Sequence, residues 1–297
     1  MKDTRPRKAS TTAILVAAVR ASHLRWSPTP IFSDQYAIDV VTPFWRQVAN
    51  NWVLNRLVVD VLLRTLKPTH TVIILRIRYA EDRLHEAISS GVQQYVILGA
   101  GLDTFALRHR KLAHRLRIYE VDHPASQEMK RVQLGRIGRS LPSNLRFVPV
   151  DFETDRVDEA LIRAGFDREA PAFFSWLGVT CYLTPESVTD TISQIAAVAA
   201  PGSRIVLDYR YPRRLVPDAQ LALVEKMDRF VERRGEPMLS EYSPEEIDAE
   251  MERAGFTAMD HVSPAEQVRR YLRERRDIPE PPPNFAFALF EKGSGPM

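Results

Sequence analysis

Two glycines at the end of an apolar run constrain this chain more than any other feature. Gln94-Tyr-Val-Ile-Leu98 leads directly into Gly99-Ala-Gly-Leu-Asp-Thr104, and Phe105-Ala-Leu-Arg-His109 can continue as a helix. A chain turning sharply off a parallel strand needs residues without a Cβ where a ligand approaches the backbone. The order strand, glycine turn, helix therefore predicts a nucleotide pocket at the edge of a parallel sheet.

The rest of the chain supplies that sheet. Tyr95–Leu98, Leu116–Val121, Leu145–Val150, Ala172–Leu177 and Arg204–Tyr209 are short apolar runs separated by helical patterns or loops, the alternation of an α/β fold with both sheet faces covered. Two more strands are expected at Gly255–Val262 and Asn284–Glu291, divided by a helical Pro264–Arg276 and the stiff Pro279-Glu-Pro-Pro-Pro283. Up to about Gly91 the chain reads mainly as helices. Loop signals fall at Ser27-Pro-Thr-Pro30, Thr42-Pro43 and Lys67-Pro68, and Thr71-Val-Ile-Ile-Leu75 is ambiguous between strand and helix. The expected organisation is a helical extension over residues 1–91 and a Rossmann-like domain over 92–297, with a helical insertion at about 211–252. Within that insertion Pro217–Arg234 is amphipathic, and Ser243 followed by Glu246 forms a capping box. The N-terminal helices and Pro217–Met251 are expected to cap the carboxyl edge of the sheet, where open sheets bind ligands.

Charge and cysteine content narrow the function classes. The 41 basic and 38 acidic residues leave a net charge of only +3, and Arg269-Arg270 and Arg273–Arg276 are interleaved with glutamate and apolar residues, so nucleic acid is not an expected partner. A single cysteine, Cys181, excludes an internal disulfide and a cysteine-rich zinc site and agrees with a reducing, cytoplasmic location. Lys2, Arg5, Arg7 and Lys8 before Ala13–Val19 imitate a secretory signal, but the apolar run is short, Arg20 follows it, and Ser10-Thr-Thr-Ala reads as a helix start. A buried helix is expected there, and no other stretch has the length to cross a bilayer.

The turn also discriminates between cofactors. A dinucleotide site wants a third glycine and a pyrophosphate on the helix N-terminus, whereas this turn has Thr104 in that slot beside the anionic Asp103. A carboxylate repels pyrophosphate and attracts an ammonium such as the amino-acid end of S-adenosylmethionine. Asp122 stands at the end of the second strand, about 20 residues past the turn where ribose hydroxyls are recognised, and Asp151 with Phe152 follows the third. Either aspartate could instead cap its local turn.

Taken in order, Val96–Arg108, Tyr119-Glu-Val-Asp-His-Pro124, Phe147–Phe152 and Leu177-Gly-Val-Thr-Cys-Tyr-Leu183 resemble the motif series of the leucine carboxyl methyltransferase family, in its bacterial small-molecule branch with the polyketide O-methyltransferases. Arg76-Ile-Arg-Tyr-Ala-Glu-Asp82 is similar to that branch's arginine helix, and the likeness covers nearly the whole chain. The resemblance implies a class I methyltransferase sheet, mostly parallel with an antiparallel last strand, and S-adenosylmethionine as cofactor. By position it implies that Gly99, Ala100 and Gly101 face the methionine part, that Asp122 holds the ribose, and that Asp151 and Phe152 frame the adenine, with His123 as a further cofactor contact. Arg76 then pairs with the cofactor carboxylate, with Arg78 as the competing candidate. One position departs from the family: Leu177, counted with the cofactor-binding residues, stands where glutamate often precedes the glycine, so the cofactor contact there is lost or moved to the backbone.

The chemistry expected is transfer of a methyl group to a carboxylate or hydroxyl of a small molecule. Trp176 and Tyr182 are the expected substrate-binding residues. Trp26, Phe32, Phe44, Trp45 and Trp52 suit an apolar or polyketide-like acceptor, unless they only pack the helices. His109, His123 and Asp208 are candidate bases, none is chosen, and Cys181 has no nucleophilic role. A nicotinamide-dependent oxidoreductase and a non-catalytic cofactor-binding module are the alternatives.

Overall fold

The structure, a computed structural model, describes residues 11–294 apart from 234 and 236. Ser10, the basic residues before it, Arg234 and Glu236 therefore lie outside the described residues. The apolar runs fold as Gln94–Leu98 (β1), Arg117–Asp122 (β2), Leu145–Pro149 (β3), Ala172–Trp176 (β4), Arg204–Arg210 (β5), Phe256–Val262 (β6) and Phe285–Lys292 (β7). They form one sheet in the order β3-β2-β1-β4-β5-β7-β6, with β7 antiparallel to both neighbours and the other pairs parallel. Because β1 pairs with β2 on one side and β4 on the other, the strand order reverses at β1. The glycine turn leaves the sheet at that switch point, where neighbouring crossovers diverge and open a crevice.

Both faces are covered, which explains why β1 and β4 are buried at every position. On one face Val96, Leu98, Phe174 and Trp176 pack against the helices Val157–Arg163, Pro185–Val198 and Pro244–Arg253. On the other, Tyr95, Ile97, Phe173 and Val206 meet the long helix Lys67–Ser89 through Val72, Leu75 and Tyr79. Thr71–Leu75 lies inside this helix and not in a strand; five consecutive apolar residues fit either element, and here cap and sheet bury the helix from opposite sides. Pro43 and Pro68 likewise open helices, where a missing N–H costs nothing. The helix from Pro264 ends at Leu272 after a π turn from Val268, short of Arg276.

The cap is the first helix, Thr11–Trp26, with the short helices and the π turn Arg56–Leu62 that follow it, joined by Asp218–Glu232 through Val224 and Met227. The second half of the insertion behaves differently: Ile247 and Met251 bury Pro244–Arg253 on the opposite face beside β6, and its Ser243–Glu246 capping box is formed. Among the described residues no helix is long and apolar enough to cross a membrane.

Cap and sheet are fastened by buried charge. Asp34 accepts from Arg20 (2.8 Å), from the Thr104 hydroxyl (2.6 Å) and from the backbone of Tyr36 and Ala37. Arg20 also donates to the Leu102 carbonyl at 2.5 Å, and Arg108 reaches both the Glu81 carboxylate and Asp34. Every carboxylate in this cluster faces a guanidinium, which such burial demands. Burial alone would raise the Glu81 pKa, but hydrogen bonds from Arg108 and His109 overcome it and hold the group at about 2. A depressed carboxylate pKa adds stability above its unfolded value and loses it as pH falls through the folded one. Wild type should therefore exceed Glu81→Gln in unfolding free energy near neutrality by on the order of 3 kcal/mol. Urea titrations should show that gap closing as pH falls from the ordinary 4.5 toward about 2.

Candidate functional site

The turn after β1 is held against β2: the Gly99 and Ala100 N–H groups both donate to the Val121 carbonyl, at 2.8 and 3.1 Å. Gly99 and Gly101 have φ of +67° and +50°, a region that residues with a Cβ enter at a cost. Space is equally restrictive, since a Cβ on Gly99 would lie 2.2 Å from Val179 Cγ2 and one on Gly101 would lie 3.2 Å from the Ala13 methyl. The first helix thus lies directly on the glycine turn. Asp103, half-buried, accepts from the Phe105 N–H at 2.7 Å at the start of the following short helix, while the Thr104 hydroxyl donates to Asp34 and accepts from Arg108 Nε at 3.1 Å.

Asp122 ends β2 beneath this turn. One carboxylate oxygen accepts from the Gly101 N–H and the other from the His123 N–H (2.6 Å). Each oxygen keeps a lone pair for a ligand hydroxyl. Burial pushes the Asp122 pKa up and the two N–H bonds work against that. His123 caps the helix Pro124–Arg136 through Nδ1 and places Nε2 4.0 Å from Asp151. Asp151 shapes its own turn by accepting from the Glu153 N–H at 3.1 Å. Phe152 next to it stacks on Trp176, with ring centroids 6.5 Å apart. Below Asp122, Lys130 donates to the buried Glu120, whose pKa burial lifts to about 7.

Trp176 is a correction. It is 0% exposed, because β4 alternates Phe174 and Trp176 onto the helix-covered face, and so it backs Phe152 from the core instead of lining an open acceptor pocket. Leu177 and Tyr182 are half-buried on the other face, against the cluster that includes the long helix. Arg76 and Arg78 are also separated. Arg78 is 47% exposed and pairs with Asp82, whereas Arg76 points inward and donates to Asp208 at 2.9 Å. Asp208 accepts the Gly178 N–H at 2.5 Å with its other oxygen. Gly178, at φ +69°, leaves the room the guanidinium occupies: a Cβ there would sit 2.3 Å from Arg76 Nη2.

Gly178, Val179 and Asp208 were not among the residues read as binding a ligand. A glycine two residues past the end of β4 is the available signal. None of the three candidate bases stands uncommitted: Asp208 is ion-paired, His123 caps a helix, and His109 stacks on Phe105 beside Glu81. Cys181 is buried, and burial pushes its thiol up to about 12, so it is no nucleophile. The aromatic residues of the cap divide. Trp26 and Trp45 line a cavity, Phe32 packs with Val19 and Ile73, and Phe44 and Trp52 are more than half exposed.

Comparison with known proteins agrees with this geometry. Residues 13–196 match the leucine carboxyl methyltransferase family. A Bacillus subtilis (strain 168) protein named as an S-adenosyl-L-methionine-dependent methyltransferase, YktD, is 34% identical over 92% of this chain and 94% of its own. A Mycobacterium tuberculosis (strain ATCC 25618 / H37Rv) protein named in the same way, Rv3787c, is 33% identical over 66% of this chain and 65% of its own. Among solved structures, a DUF574 family protein from Streptomyces avermitilis MA-4680 aligns with a TM-score of 0.60 at 14% identity, covering 93% of this chain and 97% of that one. One described as a methyltransferase from Thermobifida fusca YX gives 0.57 at 18% identity, covering 93% and 94%. At these identities the structures show a shared fold.

Gly178→Ala should force Arg76 off Asp208 and impose a strained φ, costing roughly 1–3 kcal/mol. Gly202→Ala, also at positive φ but with open space where its Cβ would go, isolates the backbone part of that cost. Equal losses in chemical denaturation would mean that the Arg76 contact contributes nothing.

Proposed function

Because the chain belongs to the leucine carboxyl methyltransferase family and is an S-adenosylmethionine-dependent methyltransferase, we propose that it methylates an oxygen of a small molecule, and that the oxygen is a carboxylate. The alternatives of a nicotinamide oxidoreductase and a non-catalytic module give way to that membership. The observation that carries the cofactor reading is Asp122, buried at the end of β2 with one lone pair left on each oxygen and aligned by the Gly101 N–H. Two acceptors so placed suit the vicinal hydroxyls of a ribose. Gly99, Ala100 and Gly101 give the methionine part a wall without side chains, and Asp103 supplies a negative charge for its ammonium. Arg76, with five donors, pairs with Asp208, and its Nε–H has no hydrogen-bond partner among the described residues, so it has a donor left for the carboxylate. Asp151, Phe152 and His123 border the adenine, while Leu177 and Tyr182 present the half-buried surface on which the acceptor rests.

When bound, S-adenosylmethionine would supply a methyl group made electrophilic by its sulfonium, and a carboxylate acceptor would have no proton to release. The protein's share is then alignment and exclusion of water. A carboxylate acceptor is favoured because His109, His123 and Asp208 are all engaged elsewhere, and an ionised acceptor needs no base. The helical cap is the surface available for choosing among apolar or polyketide-like acceptors.

In calorimetric titration S-adenosylhomocysteine should bind and NAD should give no heat. Asp122→Ala should lower S-adenosylhomocysteine affinity by at least about 100-fold with the thermal midpoint near wild type; unchanged affinity rejects the ribose assignment. In a tritiated-methyl assay across carboxylic and phenolic acceptors, label incorporated by wild type should be lost in mild alkali, as from an ester. Alkali-stable label would move the acceptor to a hydroxyl.

A further inference from the structure

A partly open cavity of about 200 Å³ lies between the first helix, the π turn, the long helix and the chain at Pro279, and it is lined by none of the residues assigned above to the cofactor and by neither Leu177 nor Tyr182, on which the acceptor rests. We propose that this cavity is a second small-molecule site, taking an aromatic ring that carries a hydrogen-bond-accepting oxygen. Close-packed interiors leave few voids of this size, and an apolar cavity of roughly 150 Å³ is enough to hold benzene. The walls have the character of ligand sites, broad apolar surface with a few convergent polar groups. Trp26, Trp45, Val59, Leu63, Ile74 and Pro279 supply the apolar surface.

The polar groups are mainly donors. His23 Nε2 accepts the Ile31 N–H at 3.0 Å, so the neutral ring carries its proton on Nδ1. Burial, then Arg275, keeps that ring neutral by lowering its pKa to about 4, with Asp277 opposing. Ser22 accepts from Asn55 at 2.9 Å and so keeps its own hydroxyl hydrogen to donate. Lys67 adds a positive charge to the same lining, while the Asp277 charge is answered by Arg275 at 2.7 Å. The Thr71 hydroxyl already donates to the Pro279 carbonyl (2.8 Å) and ties the last wall in place. A ligand offering an oxygen acceptor matches this lining, whereas a ligand cation does not.

The cavity is distinct from the cofactor crevice. Ile74 lines it and Arg76 faces Asp208, and two residues along a helix project about 200° apart. The long helix therefore stands between the two sites. One wall is the π turn Arg56–Leu62, a rare form of helix that is frequent at functional sites.

The test uses full-length protein with methyl-labelled valine, leucine and isoleucine, titrated with 1-naphthol with and without saturating S-adenosylhomocysteine. Saturable binding is expected, with ring-to-methyl Overhauser contacts at Val59, Leu63 and Ile74 that persist when the nucleoside is bound, and naphthalene should bind about tenfold more weakly. Val59→Trp, which fills the cavity from its rim, should weaken naphthol by at least about tenfold and leave S-adenosylhomocysteine affinity unchanged. If that variant does not fold, the wild-type contacts decide alone. No saturable binding, contacts at Leu177 in place of Val59, displacement by the nucleoside, or equal affinity for naphthalene would each overturn the proposal. Loss of nucleoside binding in wild type would count against the cofactor assignments and leave this site standing.

Discussion

The Asp34 carboxylate joins parts of the molecule that are distant in sequence. It receives Arg20 from the first helix and Thr104 from the far end of the glycine turn, while Arg108 connects the same cluster to Glu81 on the long helix. Taking these ions out of water is costly, and their mutual attraction does little more than offset that cost. What such a cluster provides is register. With Arg20 also donating to Leu102, the first helix can dock in only one position, and that position brings Ala13 against Gly101. The shape of the crevice at the end of β1 is therefore set partly by residues about seventy positions upstream of Thr104.

The long helix extends this coupling to the other side of the site. Its inward face carries Arg76 onto Asp208 and Gly178, its next turns pack Tyr79 on Phe287, and its outward face closes the cavity in the cap. Tyr79 also donates to Asp260 of β6, which Arg270 grips as well. A helix pinned at both levels holds its cavity wall and Arg76 on separate faces.

The sheet was legible because burial on both faces makes β1 and β4 continuous runs of buried, mostly apolar residues, and the alternation of such short runs with helical patterns has few alternatives. The glycine turn was legible for a related reason: two glycines two positions apart at the end of such a run leave little else that the backbone can do there. Other features depend on contacts that sequence spacing does not encode. Thr71–Leu75 reads equally as strand or buried helix until its neighbours are known. Asp34 sits in a loop with no pattern around it, and nothing local marks it as the acceptor for two arginines. Trp176 belongs to the family-like fourth-strand motif, yet the parity of β4 turns it into the core, and a one-residue difference in where the strand starts would have reversed that. Pro244–Arg253 carries a clear capping box, but a cap says where a helix begins and not which face of the sheet it will cover.

Leu177 has its consequence at this level. The resembling family often has glutamate there, and a second carboxylate beside Asp208 would compete with it for Arg76 and for the Gly178 N–H. With leucine the corner between β4 and β5 holds one carboxylate and one guanidinium, a neutral pair whose remaining donors are the arginine's. At the opposite corner Asp103, Glu120 and Asp122 face Lys130, with Arg108 acting on Asp103 while it is also shared by Asp34 and Glu81. The crevice is thus more negative beside β2 than beside β5. On the proposed binding mode a zwitterionic amino-acid group turns its ammonium toward the first corner and its carboxylate toward the second, and a glutamate at position 177 would have weakened that second preference by placing a like charge where the carboxylate is to arrive.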